Sequence, residues 1–361
     1  MKTLVFWGGG SPDRARRHHR EGAVFVLWGE KRGALDAASI PFRTADLAPA
    51  QAEGVERAAL RWSRAWPRIP LVDGRSFREL LEWKGLSLAD LLDDFWRASP
   101  RLGDYVRLIE TVELLLEQET PDEVEAVGLK GPTALLLGRA CTRRGILYHG
   151  PQPRPFGAGG GAAFRGRVQA LATLARSLRA SFSGGPPAPA CGGRAVALLF
   201  LSADEGQASL ARAAGADTLL CPFAVTVGAR TPRPSLADYP ALREVRAVSR
   251  RLRETWGRLR RSPALGDAFS HRGVAFADLA RRDLAELMLV WLPRAVSRFE
   301  QAIAVLRAVR PAVVCLGRAP GPLLLACRAA AVPTVEPRAG ETGESLLARL
   351  RAAAGAPAGA A

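Results

Sequence analysis

VEAVGLKGPTALLLGRACTRRGILYHG, residues Val124–Gly150, reads as strand, glycine turn, helix and strand. Val124–Leu129 is an apolar run, Pro132–Arg144 is helical in pattern, and Gly145 leads into a short strand ending in Tyr148-His149-Gly150. A worn copy stands at Val313–Val335, VVCLGRAPGPLLLACRAAAVPTV. Pro121 and Pro311, and likewise Gly131-Pro132 and Gly321-Pro322, lie 190 positions apart. The likeness reaches back to Phe77 in the first copy and to Phe269 in the second. There WKGLSLADLLDDFW (Trp83–Trp96) answers HRGVAFADLARRDL (His271–Leu284), and Ile109-Glu110 answers Phe299-Glu300. A period this long excludes a solenoid and predicts duplication of a domain or half-domain.

Upstream, Lys2–Trp7 is an apolar run closed by Gly8-Gly9-Gly10-Ser11-Pro12, followed by a charged helical stretch to Glu21 and a second apolar run at Ala23–Gly29. This order opens a parallel α/β unit. Helices are predicted over Ala48–Trp66, Ser87–Ala98 and Leu102–Glu119, the last with Leu102, Val106, Ile109, Val112, Leu115 and Leu116 on one face. From Arg194 the pattern restarts with strands at Arg194–Ala203 and Ala216–Phe223, a helix at Asp204–Gly215 and an Arg-rich helix near Ala241–Arg261. The fold class that follows is α/β, with two Rossmann-like parallel-sheet domains. The expected boundaries are 1–150 for the first domain and 151–193 for a Pro/Gly-rich linker. That linker carries one basic amphipathic helix (Phe164–Phe182). The second domain covers 194–340, and 341–361 is a C-terminal helix and tail.

The chain has 361 residues, 48% of them hydrophobic and 24% charged, the balance of a soluble globular protein. No apolar stretch reaches the roughly 20 residues needed to span a bilayer, and no secretory signal is read at the N-terminus. A cytoplasmic location is expected. The five cysteines are scattered, so neither a zinc site nor a disulfide framework is indicated. The net charge of +16 comes almost wholly from arginine on helices. It favours anionic partners, including peripheral contact with the inner membrane, and no nucleic acid is expected, since no aromatic or motif signal accompanies it.

Ligands of parallel α/β sheets gather beyond the carboxyl ends of strands, where loops and helix N-termini present N–H groups. Four such places are candidates. Gly8, Gly9, Gly10 and Ser11, with Arg14 one turn on, suit an anion, a structural tight turn being the alternative. Ser202 and Asp204 follow the equivalent strand of the second half, where carboxylates favour a helix cap over a phosphate. His149 closes the last strand of the first copy and is expected to face a cleft as base or phosphate ligand. In the second copy the corresponding end offers Glu336 for sugar or ribose hydroxyls and Arg338 for a phosphate, with solvated loop charge as the alternative. Arg318, closing VVCLGR, is a further candidate contact. The acidic pairs Asp93-Asp94 and Glu123/Glu125 lack neighbours in sequence that would mark a metal site. No Walker A, G-x-S-x-G or H-E-x-x-H motif is present.

Strand, long helix, Pro, apolar strand, GP, LL…RA…RGI and a strand ending in HG together resemble the acceptor-side domain of bacterial surface-polysaccharide GT-B-type glycosyltransferases. These include relatives of the CDP-glycerol glycerophosphotransferases and of the UDP-N-acetylglucosamine 2-epimerase-like group. RRSPALGDAFSHRGVAFADL (Arg260–Leu279) is similar to the middle domain of some long proteins in that group. The resemblance implies a GT-B-like arrangement in cell-envelope polysaccharide synthesis. A nucleotide-activated sugar would be the substrate, without a further cofactor or metal, and a polysaccharide or lipid-linked molecule the acceptor. Where such relatives typically carry Gln-His-Gly, this chain has Glu336-Pro337-Arg338. Two alternatives therefore stand. The two units match the halves of a compact enzyme with His149 or Asp204 as base, or they match duplicated N-terminal domains without a donor domain, in a sugar-binding or scaffolding protein.

Overall fold

The computed structural model describes residues 1–88, 101–151, 195–200, 218–222, 236, 239, 242–317, 321–338 and 340–355. The first strands and helices alternate as β1 (Thr3–Trp7), α1 (Pro12–His18), β2 (Ala23–Leu27), α2 (Gly33–Ala38), β3 (Phe42–Thr44) and α3 (Pro49–Ala65). Two small hairpins follow, β4 (Pro70–Val72) with β5 (Arg75–Ser76), and β6 (Glu82–Trp83) with β7 (Leu86–Ser87). The short helix α4 (Phe77–Leu80) lies between them. Then come α5 (Arg101–Glu119), β8 (Glu123–Val127), α6 (Gly131–Arg144) and β9 (Leu147–His149). Strands β1, β2, β3, β8 and β9 form one parallel sheet in the order β3-β2-β1-β8-β9, a Rossmann-like arrangement.

The second half of the chain supplies β10 (Ala195–Phe200), β11 (Thr218–Pro222), α7 (Leu242–Leu259) and α8 (Ala264–Ala268). A hairpin of β12 (Ser270–His271) and β13 (Val274–Ala275) leads into α9 (Ala277–Glu286) and α10 (Leu292–Val309). The chain continues through β14 (Val313–Leu316), α11 (Gly321–Ala329), β15 (Thr334–Val335) and α12 (Gly343–Gly355). A second parallel sheet runs β11-β10-β14-β15. Its order corresponds to β2-β1-β8-β9 of the first.

The described residues belong to two compact units, and each draws on both halves of the chain. Unit 1 takes Met1–Leu80, Ser99–Gly160 and Thr255–Ala285, while unit 2 takes Leu81–Ala98, Gly161–Glu254 and Glu286–Ala361. The helical stripe of α5 is buried as its 3.6-residue spacing requires, with Val106 and Ile109 fully enclosed. In unit 1, Phe269 and Phe276 from the late segment are fully buried against Trp62, and Phe269 also meets Trp66 with ring centroids 5.0 Å apart. Such large rings dominate a core's buried apolar area.

Two ion pairs follow from this exchange. Lys84, in the β6–β7 turn, pairs with Glu300 of α10 at 2.7 Å within unit 2. Arg272, in the β12–β13 turn, pairs with Glu110 of α5 at 2.9 Å within unit 1. Lys84 and Arg272 both adopt the left-handed conformation, at φ 49° and 46°, each just before a glycine of positive φ. The recurring basic residue before glycine is thus a turn residue in both places. Its side chain reaches a glutamate contributed by the other half of the sequence.

Candidate functional site

In a parallel sheet, residues in register point to the same face. Thr3, Val5 and Trp7 of β1 are in register with Glu123, Glu125 and Val127 of β8, and Glu125 is in register with His149 of β9. On the β1–β2 side this face is apolar. Val5, Trp7, Phe25, Leu27 and Val127 pack with Ala15 of α1 and Leu35 of α2. On the β8–β9 side it turns polar, presenting Glu123, Glu125 and His149. Alternation in the strand EVEAV does this, since Val124 and Ala126 go to the opposite, buried face.

The end of α1 supplies the counter-charges. His18 Nδ1 lies 2.5 Å from Glu125 Oε2. Arg20, just beyond the helix, donates to Glu123 and, at 2.9 Å, to Glu125. The Thr3 hydroxyl donates to Glu123 at 2.6 Å, and His149 Nε2 stands 3.5 Å from the other Glu123 oxygen. The Thr3 hydrogen bond first, and the charges of Arg20 and His149 after it, hold the Glu123 carboxyl below the ordinary carboxylate range. Glu123 therefore remains an acceptor. An open cleft of about 590 Å³ lies over this surface, lined by Arg14, His18, Arg20, Glu123, Glu125, Val127, His149 and Gly150 among others.

Local sequence explains the placement of His149. In Tyr148-His149-Gly150, Tyr148 turns to the helix side, where its hydroxyl donates to the Ala134 carbonyl at 3.1 Å and its ring lies on Gly138. Burial pushes its pKa up to about 12. A Cβ at position 150 would collide with the Tyr148 hydroxyl, so glycine is required there. Period-two alternation then places His149 on the cleft side, its side chain half exposed. Its register partner is the middle residue of β8, and its carboxylate neighbour the first. The imidazole thus stands over the sheet face and not at the carboxyl rim.

Of the other sequence candidates, Arg14 lines the same cleft as His149. Ser11 caps α1 by accepting from the Arg14 N–H at 3.3 Å. The Gly8 N–H is occupied by the Val127 carbonyl at 2.8 Å. Gly9 passes directly over Gly128, where a Cβ would overlap the Gly9 carbonyl, so these glycines serve the close crossing of two loops. Glu336 and Arg338 are exposed in unit 2. The Glu336 carbonyl accepts from Arg349 at 3.1 Å and the Arg338 N–H donates to Glu341 at 3.0 Å. Ser202, Asp204 and Arg318 lie outside the described residues, as do Asp93 and Asp94 and the helix expected at Phe164–Phe182.

Sequence reasoning passed over His18 and Arg20, and noted of Glu123/Glu125 only that no neighbour in sequence marks a metal site. The signal was two carboxylates at i and i+2 on an otherwise apolar strand. Among the described residues no cluster of His, Cys, Asp and Glu has the arrangement of a metal site, and no helix is long and apolar enough to cross a membrane. Cys141, Cys315 and Cys327 are buried thiols. Burial pushes the Cys141 and Cys327 thiols up to about 12, which makes them packing residues and not nucleophiles.

Fold and cleft together define an α/β protein with a Rossmann-like parallel sheet and a charged cleft on one sheet face. No family model matches the chain, and no curated protein matches it.

Proposed function

We propose that this chain is a GT-B-like glycosyltransferase that moves a sugar from a nucleotide-activated donor in cell-envelope polysaccharide synthesis, with His149 as the base. The observation that carries this reading is the His149–Glu123 pair in the open cleft. A carboxylate beside Nε2 favours the proton on that nitrogen and leaves Nδ1 with its lone pair, the arrangement a general base needs. Nδ1 would take the proton of an acceptor hydroxyl as it attacks the donor, and Glu123 would stabilise the imidazolium formed. The matching strand orders of the two sheets, and the equivalent left-handed turn residues Lys84 and Arg272, support a duplicated α/β architecture of the kind GT-B enzymes use.

A second reading has its own observation. Both cleft carboxylates are already engaged, Glu123 by Thr3 and Arg20, Glu125 by His18 and Arg20. Carboxylates held by the protein's own groups suit a sugar-binding or scaffolding protein as well as an enzyme.

Thermal unfolding with UDP-, GDP- and CDP-sugars at millimolar concentration separates the two. A ligand at about 100 times its Kd stabilises the folded state by about 2.7 kcal/mol, a rise of a few degrees in Tm for a chain of this size. Stabilisation by one nucleotide class is expected. None by any class would favour the non-catalytic reading.

A further inference from the structure

Resting on the reading of the cleft as a carbohydrate site, we propose that its ligand is an acidic sugar, a polyhydroxylated molecule bearing one carboxylate or phosphate, with the anion held by Arg14. Two guanidiniums and two carboxylates line the cleft. Arg20 contacts both carboxylates. Arg14 contacts neither, and among the described residues its guanidinium has no hydrogen-bond or ion-pair partner. Arg14 is therefore the cation left over once the internal pairs are counted, and a guanidinium matches a carboxylate or phosphate in bidentate geometry.

The rest of the wall asks for donors. A carboxylate has about four lone-pair sites, more than Thr3, Arg20 and His18 use on Glu123 and Glu125. Hydroxyl groups satisfy such acceptors. A bare inorganic anion would meet Arg14 but be repelled by the two carboxylates, and a neutral sugar would leave Arg14 unmatched. One molecule that carries both groups satisfies the whole surface.

Titration of the full chain with D-glucuronate, glucose 1-phosphate, glucose and inorganic phosphate, followed by calorimetry, tests this. One of the two acidic sugars is expected to bind at least about tenfold more tightly than glucose, the scale of one charge-assisted contact. Whichever of the two prevails distinguishes a carboxylate from a phosphate. Arg14→Ala should abolish the preference and Arg14→Lys should keep part of it. Arg14 is exposed, so neither variant should disturb folding. Equal binding of glucose, phosphate binding as tight as that of glucose 1-phosphate, no binding at all, or an unchanged preference in Arg14→Ala would each overturn the proposal. Nucleotide-sugars that stabilise the chain while no acidic sugar binds would sink this inference and leave the transferase reading standing. Acidic-sugar binding without any nucleotide binding would do the reverse.

Discussion

Glu123 shows how a single side chain ties the cleft together. It is nearly buried, accepts from Thr3 and Arg20, and faces His149. Its pKa is lowered in the folded state, so its contribution to stability is present in full above the unfolded carboxylate pKa of about 4.3 and fades as pH falls through the folded value. The stability gap between the wild type and Glu123→Gln should therefore be widest near about pH 6 and close towards about pH 3 in urea titrations. A gap that widens on acidification would contradict the assignment. The glycines give a sharper contrast. Gly128 and Gly131 both have positive φ, at 74° and 59°, but only Gly128 faces backbone, that of Gly9. Gly131→Ala should cost about 1 kcal/mol from conformation alone, and Gly128→Ala about 2–4 kcal/mol, because a backbone overlap is added. Equal losses in chemical denaturation would mean that the loop crossing is not tight.

Elements with a strong period were legible in the sequence. The stripe from Leu102 to Leu116 gave α5, and the runs at Lys2–Trp7, Ala23–Gly29 and Val124–Leu129 gave β1, β2 and β8 to within two residues. The hairpins β4–β5, β6–β7 and β12–β13 were not, because strands of two or three residues have no periodicity to read. Nor were the charge partners, since His18 and Glu125 are 107 positions apart and Arg272 and Glu110 are 162. The recurring Glu110 and Glu300 were visible as letters, and only the fold shows that each takes the basic turn residue of a hairpin from the other half of the sequence. The two pairs should differ in weight. Glu110 also meets His271 at 2.6 Å, whereas Glu300 holds Lys84, whose side chain is more than half exposed. Glu110→Ala should cost about 1–2 kcal/mol and Glu300→Ala about 1 kcal/mol or less in urea melts, since Glu110 holds two partners, His271 and Arg272, and Glu300 the largely exposed Lys84.

At the scale of the molecule, the exchange makes the halves of the sequence interdependent. Unit 1 needs Thr255–Ala285, whose Phe269 and Phe276 are fully enclosed beside Trp62. A fragment of residues 1–193 keeps the five-stranded sheet but loses that cover. It should lack a cooperative melt, or melt more than about 10 °C below the full chain, because the two ring burials lost are worth several kcal/mol. A fragment that melts like the full chain would show that the late segment is dispensable. The cleft itself is built from α1, β8 and β9, all within the first 151 residues, and the proposed transfer rests on His149. The most direct test is release of the nucleoside diphosphate from whichever nucleotide-sugar stabilises the chain, with wild type and His149→Gln compared at matched stability. Loss of a positioned general base should slow release by about 10²–10⁴-fold in the variant. Equal rates in the two proteins would contradict the assignment of His149 as the base.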